Sequence, residues 1–301
     1  MPTLVVPTQN YRAQMEFHQL TSTDAFIVFD LGDAPAVGIV RQAPKVLKDG
    51  AELLARSTTY AAASFGLRVG GGSAGINAKP DERDAALAAF LEEVAPLVES
   101  GRWLPGSGVG ITTDDLAGLD RAEERASAFD QTAAGESAVA AALGALGSLD
   151  GKQVAIVGNG PIVEAAAASA SANGASPQPQ ASLDTECDVL LVAGKAGVLE
   201  HDLAATVRAK VVVPLTPVPV TARALAVLGR AGVVVVPDFL STAAPLLTTL
   251  DASGGDAMTR VHDAVAALAG EGTNLWMAAV TKAEEHLKTW QTTLPFGRPL
   301  S

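Results

Sequence analysis

The sequence predicts an α/β protein of two domains, the second built on a parallel, doubly wound sheet. At 301 residues the chain is long enough for two ordinary domains, and 48% of its residues are hydrophobic, which is enough to form a core. Short apolar runs alternate with helical segments in the second half, a pattern typical of parallel α/β sheets. These runs are residues 154–157, 189–193, 211–213 and 233–236.

The first half predicts a smaller α/β unit. Residues 24–41 contain two β-rich runs joined by a Gly-Asp turn, a pattern typical of a hairpin. We expect a helix over residues 49–63 with Asp49 as its N-cap, followed by a glycine loop at residues 70–76. Residues 81–84, three of which are acidic, open a second helix with apolar residues at helical spacing. Its predicted buried stripe is Leu87, Phe90, Leu91, Val94, Leu97 and Val98.

The second half opens with a helix that begins near Thr132 and is expected to stop at Gly151. The first apolar strand follows, and Gly158-Asn159-Gly160 then turns into another helix. Near the other end of the chain, residues 274–290 carry apolar side chains at alternating spacings of four and three. This spacing predicts an amphipathic helix.

The segment after the Gly-x-Gly turn is irregular. Residues 173–186 contain Pro177 and Pro179, which lack the backbone donors that a central strand needs. Too few residues separate the turn from Cys187 for the usual helix, strand, second helix and next strand, because one βαβ unit takes about 30 residues. We therefore predict a truncated second domain that has lost at least one layer of this sheet.

Composition excludes several classes of function. The net charge is −12 and no block of Lys or Arg occurs, which argues against nucleic acid as a partner. One cysteine excludes an internal disulfide and suits a reducing compartment, and the four scattered histidines predict no metal site. No signal pattern and no apolar run of about 18 residues is present. We therefore expect a cytoplasmic protein that binds neither membrane nor metal.

Three segments resemble one enzyme family. Residues 53–76, LLARSTTYAAASFGLRVGGGSAGI, resemble the substrate loop of the Glu/Leu/Phe/Val amino-acid dehydrogenases, most closely in the leucine and phenylalanine branch. Residues 34–41, APAVGIVR, resemble a segment that lines the amino-acid pocket, with Ile39 in place of its second glycine. Residues 109–120, VGITTDDLAGLD, predict a short strand and a polar turn and resemble the segment that carries the general base. The resemblance extends from about residue 20 to the end.

The resemblance implies a set of site residues. In the family, one lysine of the loop binds the substrate carboxylate and a second polarises the catalytic water, but here those positions hold Ala61 and Ser73. The general base maps onto Asp115, so the catalytic candidates are Asp115 and Ser73. The substrate-binding candidates are Gly70, Gly71, Gly72, Ala61, Arg68 and Thr132.

The resemblance also implies NAD or NADP as a cofactor. The binding candidates are Gly158, Asn159, Gly160, Pro161 and Ile162. Val163 stands where the dinucleotide fingerprint has its third glycine, and no acidic residue that could hold the ribose follows the turn before Asp184. The family's Asn-Ala-Gly-Gly segment, which contributes to the substrate and nicotinamide pocket, is replaced by residues 242–245. The sequence therefore both suggests a nicotinamide cofactor and removes parts of its site.

Each candidate also has a purely structural interpretation. Asp115 is also consistent with a helix N-cap, and residues 70–72 with a backbone path that needs glycine. The Gly-x-Gly turn is what any tight connection from a strand to a helix requires. Arg68 and Lys79 flank the glycine run and are either substitute cations or solvated surface charges.

Loss of both lysines predicts that ordinary oxidative deamination is absent. The first hypothesis is a non-catalytic partner of an intact dehydrogenase or of another enzyme, or a protein that binds a small amino-acid-like metabolite. The alternative is an enzyme that acts on an amino-acid-like substrate through Asp115, with Ser73, Arg68 or Lys79. That enzyme would be either an atypical NAD(P)-dependent dehydrogenase with substitute residues or a repurposed biosynthetic enzyme.

By the same resemblance the chain divides into three parts. Residues 1–131 are expected to form a substrate and oligomerisation domain, and residues 132–272 a truncated dinucleotide-binding domain. The helix in residues 273–301 is expected to return and pack on the first domain. The family assembles through its first domain, which implies a homo-oligomer or a hetero-complex.

Overall fold

The computed structural model describes residues 15–251, 255–270, 274–292, 294 and 297–300. Its first part forms a five-stranded sheet with a helix on each face. The strands are β1 Glu16–Gln19, β2 Ala25–Phe29, β3 Ala36–Ala43, β4 Gly70–Asn77 and β5 Trp103–Ser107. The helices are α1 Lys48–Ser64, between β3 and β4, and α2 Arg83–Glu99, between β4 and β5.

The glycine run is the central strand of this sheet and not a loop. The strand order is β1-β2-β4-β3-β5, with β2 antiparallel to β4 and with β3 parallel to β4 and β5. The predicted hairpin over residues 24–41 is therefore wrong, because β4 lies between its two strands. The strand expected after residue 109 is also displaced, since β5 ends at Ser107 and Val109 is exposed.

Glycine is required in β4 because α1 lies directly on it. A methyl group on Gly71 would lie 1.8 Å from the carbonyl oxygen of Ala55 in α1. The backbone N–H of Gly71 also donates a hydrogen bond of 2.9 Å to Oγ1 of Thr59. Leu47 precedes α1 without a side-chain cap, so Asp49 lies in the first turn and is not the N-cap. The glycine at position 71 therefore allows β4 and α1 to come into direct backbone contact.

On the opposite face of the sheet, α2 buries an apolar stripe as expected. Leu87, Phe90, Val94 and Val98 are buried, whereas Leu91 and Leu97 pack at its margin. Trp103 fills the space between α2 and the sheet, with Phe29 and Phe90 at its edges.

The second part is built on a five-stranded parallel sheet. Its strands are β6 Gln153–Val157, β7 Ser176–Pro179, β8 Cys187–Val192, β9 Ala209–Pro214 and β10 Val234–Val235. Around it lie α3 Ala122–Ala128, α4 Gln131–Leu146, α5 Pro161–Ala172, α6 His201–Ala204, α7 Ala222–Arg230, α8 Asp238–Ser241, α9 Ala244–Leu250, α10 Ala257–Gly270 and α11 Leu275–Leu287. Asp130 caps α4, and that helix ends at Gly147 and not at Gly151.

The parallel sheet is truncated at one edge, as the sequence predicted. Its strand order is β10-β9-β8-β6-β7, so β7, with Pro177 and Pro179, is an edge strand. Residues 180–186 alone join β7 to β8, where a complete doubly wound sheet has a further strand and its helices. Leu183 of this link packs on the sheet face that α6 and α7 also cover.

The C-terminal helix α11 packs back on the first domain. Trp276, Val280, Ala283 and Leu287 are buried along one side of it. The hydroxyl of Tyr60 in α1 donates a hydrogen bond of 3.1 Å to Oε1 of Glu284. One hydrophobic cluster therefore runs through both parts of the chain. No helix among the described residues is long and apolar enough to cross a membrane.

Candidate functional site

The two positions that hold lysine in the resembling family are buried here. Ala61 lies in α1 within the hydrophobic cluster that joins the domains, with 7% of its surface exposed. Ser73 lies in the middle of β4, is wholly buried, and has no hydrogen-bond partner for Oγ among the described residues. Side chains alternate along a strand, so Ser73 shares the face of Gly71 and Gly75 that packs towards α1.

Ile39 lies beside Ser73, and Phe129 covers the strand beyond Ile39. Ile39 is the register partner of Ser73 on β4 and of Gly106 on β5. The ring of Phe129 covers Gly106 so closely that a methyl group there would lie 2.0 Å from it. The position next to Ser73 is therefore taken by a branched side chain where the resembling segment has a glycine.

The substrate-binding candidates of the glycine run are likewise used for packing. Gly70 faces Leu31, and Gly72 faces Phe29 and Nε1 of Trp103, 2.9 Å from the position of a methyl group. Arg68 precedes β4 and Lys79 follows it, so these exposed cations lie at opposite ends of an eight-residue strand, roughly 26 Å apart. The structure does not bring Arg68 and Lys79 together.

Asp115 lies in a short 3₁₀ turn, Asp114–Leu116, held by a cation and a threonine. Its Oδ2 accepts hydrogen bonds from Nη2 of Arg83 at 2.6 Å, from the backbone N–H of Thr112 at 2.7 Å and from Oγ1 of Thr112 at 2.8 Å. The hydrogen bond from Arg83 is the main cause that lowers the pKa of Asp115 to about 2. The N-cap interpretation is wrong, because Thr113 precedes the turn. Such a carboxylate is a weak proton acceptor near neutral pH.

Replacing Arg83 with Met is expected to raise the pKa of Asp115 from about 2 towards its ordinary value. In the unfolded chain Asp115 has its ordinary pKa of 3.8, so the lowered pKa stabilises the folded state at pH values above 3.8. In the wild type this stabilisation is lost as the pH falls from 3.8 towards 2. Carboxyl-carbon NMR titration of both proteins measures the shift directly. An unchanged pKa in Arg83→Met would show that Arg83 does not hold this carboxylate.

Thr132 is exposed in the first turn of α4. Its backbone N–H donates a hydrogen bond of 2.8 Å to Oδ1 of Asp130, the N-cap of the helix. Thr132 therefore takes part in the cap, on the helix that joins the two sheets. It makes no described contact with Ser73 or Asp115.

The cofactor-binding candidates form a tight turn at the carboxyl end of β6. Gly158 and Gly160 have φ of 115° and 91°, and Pro161 opens α5. A methyl group on Gly160 would meet nothing within 4 Å, whereas one on Gly158 would strike Ala193, which follows β8. Asn159 is exposed beside them. This turn lies where the order of the parallel strands reverses, the usual ligand position in doubly wound sheets.

The rest of the crevice does not fit a nicotinamide dinucleotide. Ile162 is half-buried, and Val163, at the third fingerprint position, is buried in the core. At the end of β7, where an acid would hold the ribose, stand Pro179 and Gln180. The next acid, Asp184, accepts a hydrogen bond from Ser182 within the link. Only the phosphate-binding turn is retained, and the ribose-binding acid is missing.

Two cavities lie elsewhere on the surface. One, of about 330 Å³, lies between α4, α5 and α10, and is lined by Glu136 and His262 among others. The other, of about 520 Å³, lies between the end of α1, α10 and α11, and is lined by Arg260, Lys282 and His286. Neither contains a predicted site residue. Within the described ranges, no three His, Cys, Asp or Glu side chains come together as a metal-binding group.

Sequence reasoning missed the polar contacts that join the two domains. Oδ2 of Asp238 is buried and accepts hydrogen bonds from Oγ of Ser57 at 2.6 Å and from the backbone N–H of Val218 at 2.9 Å. Burial raises the pKa of Asp238. Its signal in the sequence was an acid that follows the apolar run containing β10 after one proline. Arg83 had a weaker signal, as the cation within the acidic start of α2.

Comparison with known proteins shows one similarity in sequence. The sequence of residues 7–122 matches the profile of the Glu/Leu/Phe/Val dehydrogenase dimerisation domain. No curated protein sequence matches the chain.

Solved structures match almost the whole chain. The hetero-hexameric glutamate dehydrogenase of Thermus thermophilus, in its Leu-bound form, has 22% identity and a TM-score of 0.71, over 91% of this chain and 88% of that one. The L-tryptophan dehydrogenase of Nostoc punctiforme has 20% identity and a TM-score of 0.66, over 92% and 96%. The glutamate dehydrogenase of Peptoniphilus asaccharolyticus has 16% identity and a TM-score of 0.66, over 93% and 92%. Residues 7–122 therefore resemble a Glu/Leu/Phe/Val dehydrogenase dimerisation domain in sequence, and the chain has the fold of the amino-acid dehydrogenases.

Proposed function

We propose that this chain is a non-catalytic subunit that assembles, through its first domain, with an intact amino-acid dehydrogenase. The observation that carries the proposal is that both lysine positions hold other residues, Ala61 and the wholly buried Ser73, and that Ile39 lies beside Ser73. The elements that remain are the two sheets and the helices packed on them.

Oxidative deamination needs four groups in one cleft: a cation for the substrate carboxylate, an ammonium group that polarises water, a carboxylate base and a nicotinamide. Removing one electrostatic group of this kind costs about 10²–10³ in rate. Here both lysine positions are apolar or neutral, and the remaining base is held in an ion pair by Arg83. With these groups absent or held by another residue, we expect the chain not to catalyse oxidative deamination.

Assembly is supported by the match to a dimerisation domain and by the Thermus thermophilus relative, which is a hetero-hexamer. The outermost strand of the first sheet, β1, also presents Phe17 with 40% of its surface exposed. An exposed strand edge with an aromatic side chain is a surface on which another chain can pair. We assign this edge to the subunit contact.

The alternative is an enzyme that uses Asp115 on an amino-acid-like substrate. It requires Asp115 to leave Arg83, and Ile39 to make room beside Ser73. Arg68 and Lys79, the substitute cations, lie at opposite ends of β4 and do not converge. These positions therefore favour the non-catalytic subunit over the enzyme.

Co-expression with an intact amino-acid dehydrogenase from the same source tests the proposal. The chain is expected to co-purify with that enzyme as one species in native mass spectrometry. Phe17→Glu is expected to abolish the complex, because it places a charge at the proposed contact, whereas Leu203→Glu, at a side chain of similar exposure in the second domain, leaves it intact. A chain that remains separate from the dehydrogenase at micromolar concentration would contradict the proposal.

A further inference from the structure

The smaller surface cavity lies on the second domain, where α4 crosses α5 and α10. Both crossings are close because α4 has a glycine at each. A methyl group on Gly135 would lie 2.4 Å from the carbonyl oxygen of Ile162, and one on Gly144 would lie 2.4 Å from that of His262. Ala140, about midway between these glycines, lines the space of about 330 Å³ that remains between the three helices. This volume is within the range of sites for small molecules.

The polar groups that line this cavity present hydrogen-bond acceptors. Glu136 is exposed on α4 and makes no hydrogen bond or ion pair within the described part of the chain. Nδ2 of Asn173 donates a hydrogen bond of 2.8 Å to the carbonyl oxygen of Ser169, so its Oδ1 remains as an acceptor. Nδ1 of His262 lies 2.8 Å from Oδ1 of Asp263. Because a carboxylate only accepts hydrogen bonds, Nδ1 is the donor and Nε2 is the acceptor of the neutral ring.

The rest of the lining is apolar or already hydrogen-bonded. Leu143 and Met258 are half-buried and form an apolar wall with Ala140. The hydroxyl of Thr259 donates to the acid that precedes α10. Among the described residues, the lining contains one carboxylate and no lysine or arginine. A ligand with a carboxylate or phosphate group would therefore face Glu136 without a cation to hold it, so the cavity selects against anions.

We propose that this cavity binds the ammonium group of a small aliphatic amine. The carboxylate of Glu136 supplies the opposite charge, and Oδ1 of Asn173 and Nε2 of His262 accept hydrogen bonds from the ammonium group, which has three donors. The alkyl chain of the amine is buried against Leu143 and Met258. The site goes beyond subunit assembly and is independent of it, because it lies on the second domain and β1 belongs to the first.

Calorimetric titration of the full chain with n-butylamine, butyrate and ammonium chloride tests the site at about pH 8, where an ordinary imidazole is neutral and an alkylamine is charged. Butylamine is expected to bind, whereas butyrate, with a similar alkyl chain and the opposite charge, is not. Ammonium is expected to bind at least about tenfold more weakly than butylamine, because it has no alkyl chain to bury. Equal binding of butyrate and butylamine would overturn the proposal.

Two substitutions test the acceptors. Glu136→Gln is expected to weaken binding of butylamine at least about tenfold, and His262→Phe about fivefold. Glu164→Gln, at an exposed acid of α5 outside the cavity lining, is the matched control and should bind as the wild type does. Glu136 and Glu164 are both exposed, so these two variants are expected to melt at the wild-type temperature. Equal binding by Glu136→Gln and Glu164→Gln would overturn the proposal.

Methyl NMR of protein with labelled methionine locates the ligand independently of these variants. The chain has four methionines, of which Met258 lines the cavity and Met277 lies on α11 outside it. Met258→Leu assigns the signal of Met258. Butylamine is expected to shift this signal and to leave that of Met277 unchanged. Calorimetric binding without a shift of Met258 would overturn the proposal, as would absence of binding.

Discussion

Ser73→Lys, which restores a family lysine, is expected to lose about 3–5 kcal/mol of its free energy of unfolding instead of gaining activity. Ser73 is wholly buried on the face of β4 that α1 covers, so a lysine there would place an ammonium group in the interior. The new ammonium group would also face Arg41, which already lacks a partner in the described chain. Urea unfolding followed by circular dichroism measures the loss.

Ser171→Lys provides the control for this substitution. Ser171 is exposed on α5, so the same change there should alter stability by less than about 0.5 kcal/mol. A Ser73→Lys variant as stable as the wild type would show that the space beside β4 is open. Gain of amino-acid oxidation by that variant would show that the old site is intact.

Arg56→Met is expected to lower the free energy of unfolding by about 3–5 kcal/mol. Nε and Nη2 of Arg56 each lie 2.7 Å from Oδ1 of Asp30, and both side chains are almost entirely buried. Nη1 of Arg56 also donates a hydrogen bond of 2.7 Å to the carbonyl oxygen of Gly297. The substitution leaves Asp30 charged and buried, and it releases the C-terminal segment from α1.

Two further variants separate the charge effect from lost packing. Arg121→Met breaks a pair with Glu124 at the surface and should cost less than about 1 kcal/mol. Adding Asp30→Asn to Arg56→Met should recover part of the loss, because the unpaired carboxylate is removed. Equal destabilisation by Arg56→Met and Arg121→Met would show that burial does not strengthen the Asp30 pair.

The second domain and the C-terminal helix were predictable because their signals are local. Val-rich runs that alternate with helical segments mark β6, β8 and β9, and the two prolines marked β7 as unfit for the centre of a sheet. The stripe of α11 follows directly from its spacing. Each of these patterns lies within a stretch shorter than one supersecondary unit.

The first domain was less predictable because its central strand, β4, begins with three glycines and does not have the sequence pattern of a strand. A run of glycines has no side-chain alternation and low strand propensity, so it looks like a loop, although α1 requires it at the centre of the sheet. The hairpin error followed, since a strand distant in sequence inserts between β2 and β3.

The candidate site depends on contacts between distant residues. Arg83 lies 32 positions before Asp115 in the sequence and donates a hydrogen bond to it. Phe129, which directly follows α3, covers Gly106 of β5. A motif comparison identified where the lysines were missing, but it gave no sign of what fills their space.

The most direct test of the account is a fluorescence assay of NADH and NADPH formation by the purified chain with L-leucine, L-phenylalanine, L-glutamate and L-tryptophan. We predict no cofactor reduction above a blank, because both loop lysines and the ribose-binding acid are absent and Arg83 holds Asp115 in an ion pair. Reduction of either cofactor by the wild type, abolished in Asp115→Asn, would contradict it.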